Sequence, residues 1–462
     1  MALAIDEISL QQKFKEVIAS EDKLLIHDFL NHQNISDVAD LIYENEDYES
    51  QIISHISIHR AASVFKILEL PSQKRIIKDL PPFKTAELLN ELPPDDRTAF
   101  LSELPGSAVR ELVKTLNPEE RKITLSLLGY PENSVGRLMT PDYVYVYEHD
   151  SVEDVFNTIR RYAKSSETID VLYVINDKGE LLDDIRIKDF IMASPEKKVS
   201  DLMDGRFISL HANDDQEVAS EVFKMNNRVA LPVVSKSNKL LGIVTIDDVL
   251  WVAEEEYTED IQKIGGTQAL DEPYLDVSIL KLYRKRIIWL LILFVGETFT
   301  IAAMSGFQKT LEHLLVLSTF IPLIISSGGN SGSQAATLII QALALGEITI
   351  ADWWRIAKRE VVSGLLMGVT LGIIGLLIIF GGHHFFNLFG EHYVRIGFAI
   401  GIAIIGVVLW GTMMGSMLPL LLKKLGADPA TSSTPFIATL VDVTGLLIYF
   451  SVAYIFLHDL LV

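Results

Sequence analysis

Two carboxylates, Glu297 and Asp442, stand inside long apolar runs where an ordinary helix core has no use for charge. A carboxylate in hydrocarbon is costly and by default marks an ion path or a paired site. Asp442 lies in LGADPATSSTPFIATLVDVTGLLIYF (Leu425 to Phe450), with Pro435 inside the same apolar run, and that segment offers no Lys or Arg to pair with it. An ion path is one reading; a structural Asp bonded to Thr439 or Thr444 is the other. Glu297 is a weaker candidate because it belongs to no motif. The second segment that could do chemistry is PLIISSGGNSGSQAATLIIQAL (Pro322 to Leu343). Gly328, Gly329 and Asn330 are expected to interrupt its helix, and freed backbone groups must then face protein or a wet path. Close packing of helices through small residues is the alternative. Asn330 and Gln334 are four apart and share one helix face.

Upstream, Glu254, Glu255, Glu256, Glu259 and Asp260 precede a Gly265-Gly266 break. Glu256, Glu259 and Asp260 share a face at helical neighbour spacing and repel one another unless a cation or a basic surface answers them. A divalent ion would suit that face; a solvated helix is the plain alternative. Asp95 and Asp96 follow Pro94 and suit a helix start, where carboxylates meet the positive end of the dipole. In GIVTIDD (Gly242 to Asp248), Thr245 and Asp248 fall at a strand-to-helix turn, placed either to grip phosphate and ribose hydroxyls or to cap the helix. With no cysteine, the chain has no disulfides, thiolate metal sites or cysteine nucleophile. No catalytic triad, Walker loop or metal-hydrolase spacing is present, so an enzyme is not expected. His383 and His384 read as loop residues rather than ligands.

Five apolar runs, near 286–306, 313–344, 356–381, 394–421 and 433–457, are long enough to cross a membrane. With the N-terminus inside, the inner segments carry Lys281, Arg284, Lys285, Arg286, Arg355, Lys358, Arg359, Lys423 and Lys424, and the outer ones only Lys309 and Arg395. This asymmetry puts the N-terminus in the cytosol and the C-terminus outside. The first residues lack the basic and apolar regions of a signal peptide. Of the formal charge of −21, nearly all lies in residues 1–270, with 29 Lys/Arg against 49 Asp/Glu. Such a surface repels nucleic acid and attracts cations.

Residues 60 to 130 repeat Leu80-Pro81, Leu92-Pro93, Leu104-Pro105 and Leu116-Asn117-Pro118 about every dozen positions. Proline favours a helix's first turn, so each unit predicts a short helix and a restart, stacking into a small superhelix. A longer repeat begins at Met139 and again at Met203, each copy followed by a strand pair and helix, with strands over Val171 to Ile175 and Ala230 to Val234. These α/β modules resemble a tandem pair of CBS domains, which often bind adenine nucleotides. The first copy departs from GIVTIDD, with Asp183 for the glycine, Arg186 for the threonine and Asp189 retained.

Taken in order, the modules resemble the MgtE family of magnesium channels. The resemblance implies a multidomain membrane protein: an α-helical superhelical N-domain (1–136), an α/β tandem CBS pair (137–199 and 200–253), an acidic connecting or plug helix (254–280) and a five-helix transmembrane domain (281–462). It implies a homodimer in the cytoplasmic (inner) membrane with a pore lined by the second and fifth spans. Asp442 matches the family's ion-selecting aspartate, Ala438 the neighbouring backbone carbonyl, and Thr434 stands where an asparagine is common. Gating is implied to come from cytosolic Mg2+ bridging carboxylates, here Glu217, Asp248, Glu256, Glu259, Asp260, Asp95 and Asp96. Asn227 and Trp251 stand where relatives often have acids. ATP at the CBS pair would use Thr245, Asp248 and Asp189. Magnesium fits the chemistry, since it favours oxygen ligands and keeps its waters. The competing readings are a CBS-regulated transporter of another divalent cation or solute, such as an anion, and a membrane-anchored nucleotide sensor.

Overall fold

The computed structural model describes residues 2–270, 272–307 and 315–461. Lys309 and the expected start of the second span at 313 lie outside them. The chain forms two compact units, residues 1–255 and 256–462.

In the first unit the proline repeat becomes the helices Leu70–Asp79, Pro82–Glu91, Pro94–Ser102, Gly106–Thr115 and Pro118–Leu127. Proline occupies the first turn of four of these, where its missing N–H leaves no bond unmade. The leucines between units, Leu80, Leu92 and Leu116, are buried. Helices two apart in sequence pack together, which winds the array into the expected superhelix. Arg97 is fully buried, donating to Thr124 Oγ1, the carbonyls of Leu89 and Leu92, and Glu120.

The two α/β modules are three-stranded sheets: β1 (Tyr143–Tyr147), β2 (Thr168–Ile175) and β3 (Leu181–Arg186), then β4 (Leu210–His211), β5 (Ala230–Val234) and β6 (Leu240–Thr245). Each runs in order, with a parallel first pair joined through a helix and an antiparallel second pair. The repeat persists at the level of register, Val174 facing Asp183 as Val233 faces Gly242. Val171, Tyr173, Leu181, Ala230, Val234 and Ile243 form one core shared by both copies. The acidic residues 254–260 are not a separate helix; they continue the helix Ile246–Ile264, which ends before Gly265-Gly266.

Among the described residues, the second unit holds five helices long and apolar enough to cross a membrane: Ile279–Gly306, Leu315–Ala344, Trp353–Phe386, Tyr393–Lys424 and Thr434–Leu461. Three expectations are corrected here. The second span is one unbroken helix through Pro322, Gly328 and Gly329. Its glycines admit a close neighbouring helix, since a Cβ on Gly328 would fall 2.4 Å from the Val407 side chain and one on Gly332 2.9 Å from the Gly411 carbonyl oxygen. Close packing therefore explains them. Pro435 is the second residue of the last helix and interrupts nothing. His383 and His384 sit at the end of the third span rather than in a loop, with His383 stacked on Tyr393.

Candidate ion path and acidic cation sites

The second and fifth spans pack together and share an open groove of about 680 Å³, lined by Ser333, Gln334, Thr337 and Leu338 from one and Thr434, Pro435 and Ala438 from the other. One turn beyond Ala438 stands Asp442, half-buried. Its Oδ1 lies 3.6 Å from where a Cβ on Gly329 would be, as does the Ala438 Cβ, so the carboxylate stands in ordinary contact range of the second span at Gly329. Asn330 and Gln334 are both exposed on the second span, and Asn330 donates to Ser326. The Thr434 hydroxyl donates to the Ile264 carbonyl, while its own carbonyl accepts from Ser333.

A structural bond from Asp442 to threonine is not what the geometry offers. Thr444 donates to the Leu440 carbonyl and accepts from Trp410, and the Thr439 methyl packs at Gly296. The charged neighbour that bears on Asp442 is Glu297 of the first span. Close packing of the first span at Gly296 brings it there. Two carboxyl groups at this range repel when both are ionised, and a cation beside them relieves that repulsion.

The acidic helix presents Glu256, Glu259 and Asp260 on one partly covered face, as their spacing predicts. Two residues that sequence reasoning missed complete the cluster. Lys263 pairs with Glu259 one turn earlier and with Asp428 at 2.8 Å. Asp428 also caps the turn that precedes the last span, accepting from Ala430 N. Burial, then the charges of Asp428, Glu256 and Glu259, push the Asp260 carboxyl up to about 6 against the pull of Lys263. Burial opposes the charge on Lys263, but hydrogen bonds to Asp428 and Glu259 outweigh it and raise that ammonium's pKa. The i,i+4 spacing of Glu259 and Lys263 was a legible signal; the contact with Asp428 was not.

In the first unit, Asp95 and Asp96 begin the helix Pro94–Ser102, as expected, yet they do more than cap it. Asp95 is buried with its Oδ1 unpartnered. Burial, followed by the charges of Asp248, Asp96 and Glu167, holds its carboxyl well above the usual range. Asp248 is pushed up to about 7 by burial and by Asp247 and Asp96, against a hydrogen bond from Thr245. Burial raises Asp96 and Glu167 as well, although Lys66 pulls both back. Lys66 Nζ stands 3.4 Å from Asp96 and 3.9 Å from Asp247. Lys66, Glu167 and Asp247 were missed; only Asp247, beside Asp248 in GIVTIDD, carried a local signal.

The remaining residues lie elsewhere. Asp189 is exposed in the short helix Ile187–Ile191, and Glu217 is exposed in the first turn of Gln216–Asn226. Thr245 donates to Asp248 at 2.7 Å, the arrangement of a helix start. Asp183 is buried and accepts from the backbone N–H groups of Asp204 and Gly205, tying down the segment between the two sheets. Asn227 ends its helix at φ 47°, a left-handed position that asparagine tolerates. Among the described residues, no three His, Asp or Glu side chains gather tightly enough to enclose a bare ion. A few carboxylates gripping a hydrated ion is the chemistry these clusters support.

Known families match successive stretches of the chain. Residues 33–133 match the MgtE intracellular N domain, 135–196 and 199–255 match CBS domains, and 321–452 match MgtE, a divalent cation transporter. The magnesium transporter MgtE of Thermus thermophilus is 38% identical over 349 residues, 76% of each chain. The chain belongs to the MgtE family. Magnesium transporter MgtE of Bacillus subtilis is 30% identical over 415 residues, 90% of each chain. Among solved structures, the cytosolic domain of the Mg2+ channel MgtE in complex with ATP aligns with TM-score 0.51 and 30% identity, covering 52% of this chain and 99% of that one. The soluble part of a magnesium transporter, at 23% identity and TM-score 0.51, shares the fold. MgtE proteins are multi-pass membrane transporters, which removes the enzyme reading.

Proposed function

We propose that this MgtE protein carries Mg2+ into the cell across the cytoplasmic membrane, as a homodimer whose pore lies between the second and fifth spans of each copy. The observation that carries this reading is Asp442, half-buried on a membrane helix beside Gly329 and one turn from the groove that both spans line. Ala438 would present its carbonyl next to the ion, and Thr434 would stand at the cytosolic mouth. A hydrated magnesium ion suits so sparse a set of oxygens, because this ion gives up its waters reluctantly. The basic residues at the ends of the spans support a cytosolic N-terminus and an external C-terminus.

Cytosolic Mg2+ closes the path by bridging carboxylates, Asp95, Asp96 and Asp248 in one cluster and Glu256, Glu259 and Asp260 in the other, with Glu217 contributing separately. A ligand that binds the closed state better shifts the population toward it. The crowding of carboxylates supports this: burial first, and then the charges of acidic neighbours, raise the carboxyls of Asp248 and Asp260, and a bound cation would relieve both. The ATP-bound relative supports nucleotide binding at Thr245, Asp248 and Asp189. A second reading, transport of another divalent cation, is favoured by the polar groups of the groove, the hydroxyls of Ser333, Thr337 and Thr434 and the amide of Gln334, which do not discriminate sharply among divalent ions.

The test is magnesium entry into liposomes followed with an internal indicator, comparing parent with Asp442→Ala at matched incorporation. Uptake by the parent that vanishes in the variant is expected. Robust uptake by both would clear Asp442 and turn attention to Glu297, and parent uptake of cobalt or manganese without magnesium would favour the second reading.

A further inference from the structure

The third span begins with a face that neither the groove nor the acidic clusters use. Arg355, Lys358, Arg359, Val362, Ser363 and Leu366 line an open groove of about 610 Å³. Steps alternating between three residues and one keep all six on one stripe of the helix, so cations fill its first turns and mainly apolar groups the next. The three basic residues are exposed. Among the described residues, none of the three has a carboxylate within ion-pair distance. Asp352, just before the helix, accepts from the backbone and hydroxyl of Thr349 and acts on Arg355 only at longer range, as Glu360 does on Arg359. Trp353 and Trp354 are exposed beside them, and Lys358 Nζ lies 5.2 Å over the Trp354 ring. Paired tryptophans and cations at the head of an apolar helix belong at a membrane–water boundary.

We propose that this groove binds one anionic phospholipid, its phosphodiester against Arg355, Lys358 and Arg359 and an acyl chain along Val362 and Leu366. Charge complementarity selects the head: guanidinium groups meet phosphate oxygens in a fork, and lysine adds a mobile point charge. The apolar continuation along Val362 and Leu366 selects a lipid over free phosphate, because a free anion has nothing to set against those side chains.

Native mass spectrometry of the whole protein from micelles holding equal dioleoylphosphatidylglycerol and dioleoylphosphatidylcholine tests this. At about fivefold per cation near an anionic headgroup, the parent should prefer the glycerol lipid on the order of a hundredfold. Arg355→Gln, Lys358→Gln and Arg359→Gln combined should abolish that preference, while Arg355→Lys with Arg359→Lys should keep most of it. Leu366→Ala should weaken retention of both lipids. If the triple variant does not fold, the parent's preference and a roughly fivefold loss in Lys358→Gln decide the matter. An unchanged preference in the triple or in Lys358→Gln would overturn the proposal, as would no preference in the parent. Displacement of the lipid by inorganic phosphate at equal concentration, with Leu366→Ala silent, would show a free-anion site instead. A change of oligomeric mass in the triple variant, with no lipid on the parent, would make this face an interface between copies and overturn the proposal too.

Discussion

Replacing Gly415 by alanine should force the second and fourth spans apart. A Cβ at Gly415 would fall 2.0 Å from the Gly332 carbonyl oxygen, and one at Gly411 2.3 Å from that of Gly328. Ordinary contact begins at 3.4 Å, so the helices must part by about 1.4 Å, the difference from 2.0 Å. The obstacle is backbone, which cannot turn aside as a side chain would. Overpacking of this kind costs roughly 1–3 kcal/mol, against a gain of up to about 1 kcal/mol from alanine's better helix propensity. The second span also carries Gly329 against Asp442, so the displacement should disturb the ion path as well as stability. Gly381→Ala is the control, because that helical glycine has nothing within 4 Å of a built Cβ. Thermal unfolding in detergent and magnesium uptake in liposomes would be read together. Gly415→Ala should melt earlier and transport less, while Gly381→Ala should match the parent or exceed it slightly. Parent-like melting and uptake in Gly415→Ala would refute the packing argument.

Other consequences are as direct. Asp183→Ala removes the acceptor for three backbone N–H groups, those of Asp184, Asp204 and Gly205, and should cost about 1–3 kcal/mol, seen as faster proteolysis near Asp204 and Gly205 in the full chain. Burial, with acidic neighbours, pushes the carboxyls of Asp248 and Asp260 up to about 7 and about 6 from their ordinary 3.8. Their folded forms hold protons that the unfolded chain releases, so stability is fullest below pH 4 for these groups and is lost as pH rises through 6 and 7. Melting without divalent cations should therefore fall between about pH 4 and pH 7, Asp95→Asn should flatten the slope, and millimolar magnesium should do likewise; a slope unaffected by either would count against the clusters. Lys263→Met strips the cation between Glu259 and Asp428 and should raise uptake when the liposome interior lacks magnesium; unaltered uptake would separate that ion pair from gating.

Where local chemistry and sequence period agreed, little was hidden. The proline at the head of each short helix announced the superhelix because proline suits a first helical turn, and the repeat from Met139 and Met203 announced two sheets of one register. The acidic face of Glu256, Glu259 and Asp260 followed from helical spacing alone. Pro322, Gly328 and Gly329 misled for a physical reason. Helix-breaking residues act locally as breakers, but here the helix continues because another helix occupies the space their missing side chains leave.

What the sequence by itself determined is therefore the set of modules, the five apolar runs and the presence of a carboxylate in the last of them. Those properties reside in neighbouring residues and in periods of a few positions. Tertiary structure alone decided which charges meet: Glu297 with Asp442, Lys66 with Asp96 and Asp247, and Lys263 with Asp428. The Lys263–Asp428 pair is 165 positions apart in the chain. No local propensity encodes such meetings; they arise from the packing of helices, and a buried carboxylate takes its charge state from whichever groups that packing sets beside it.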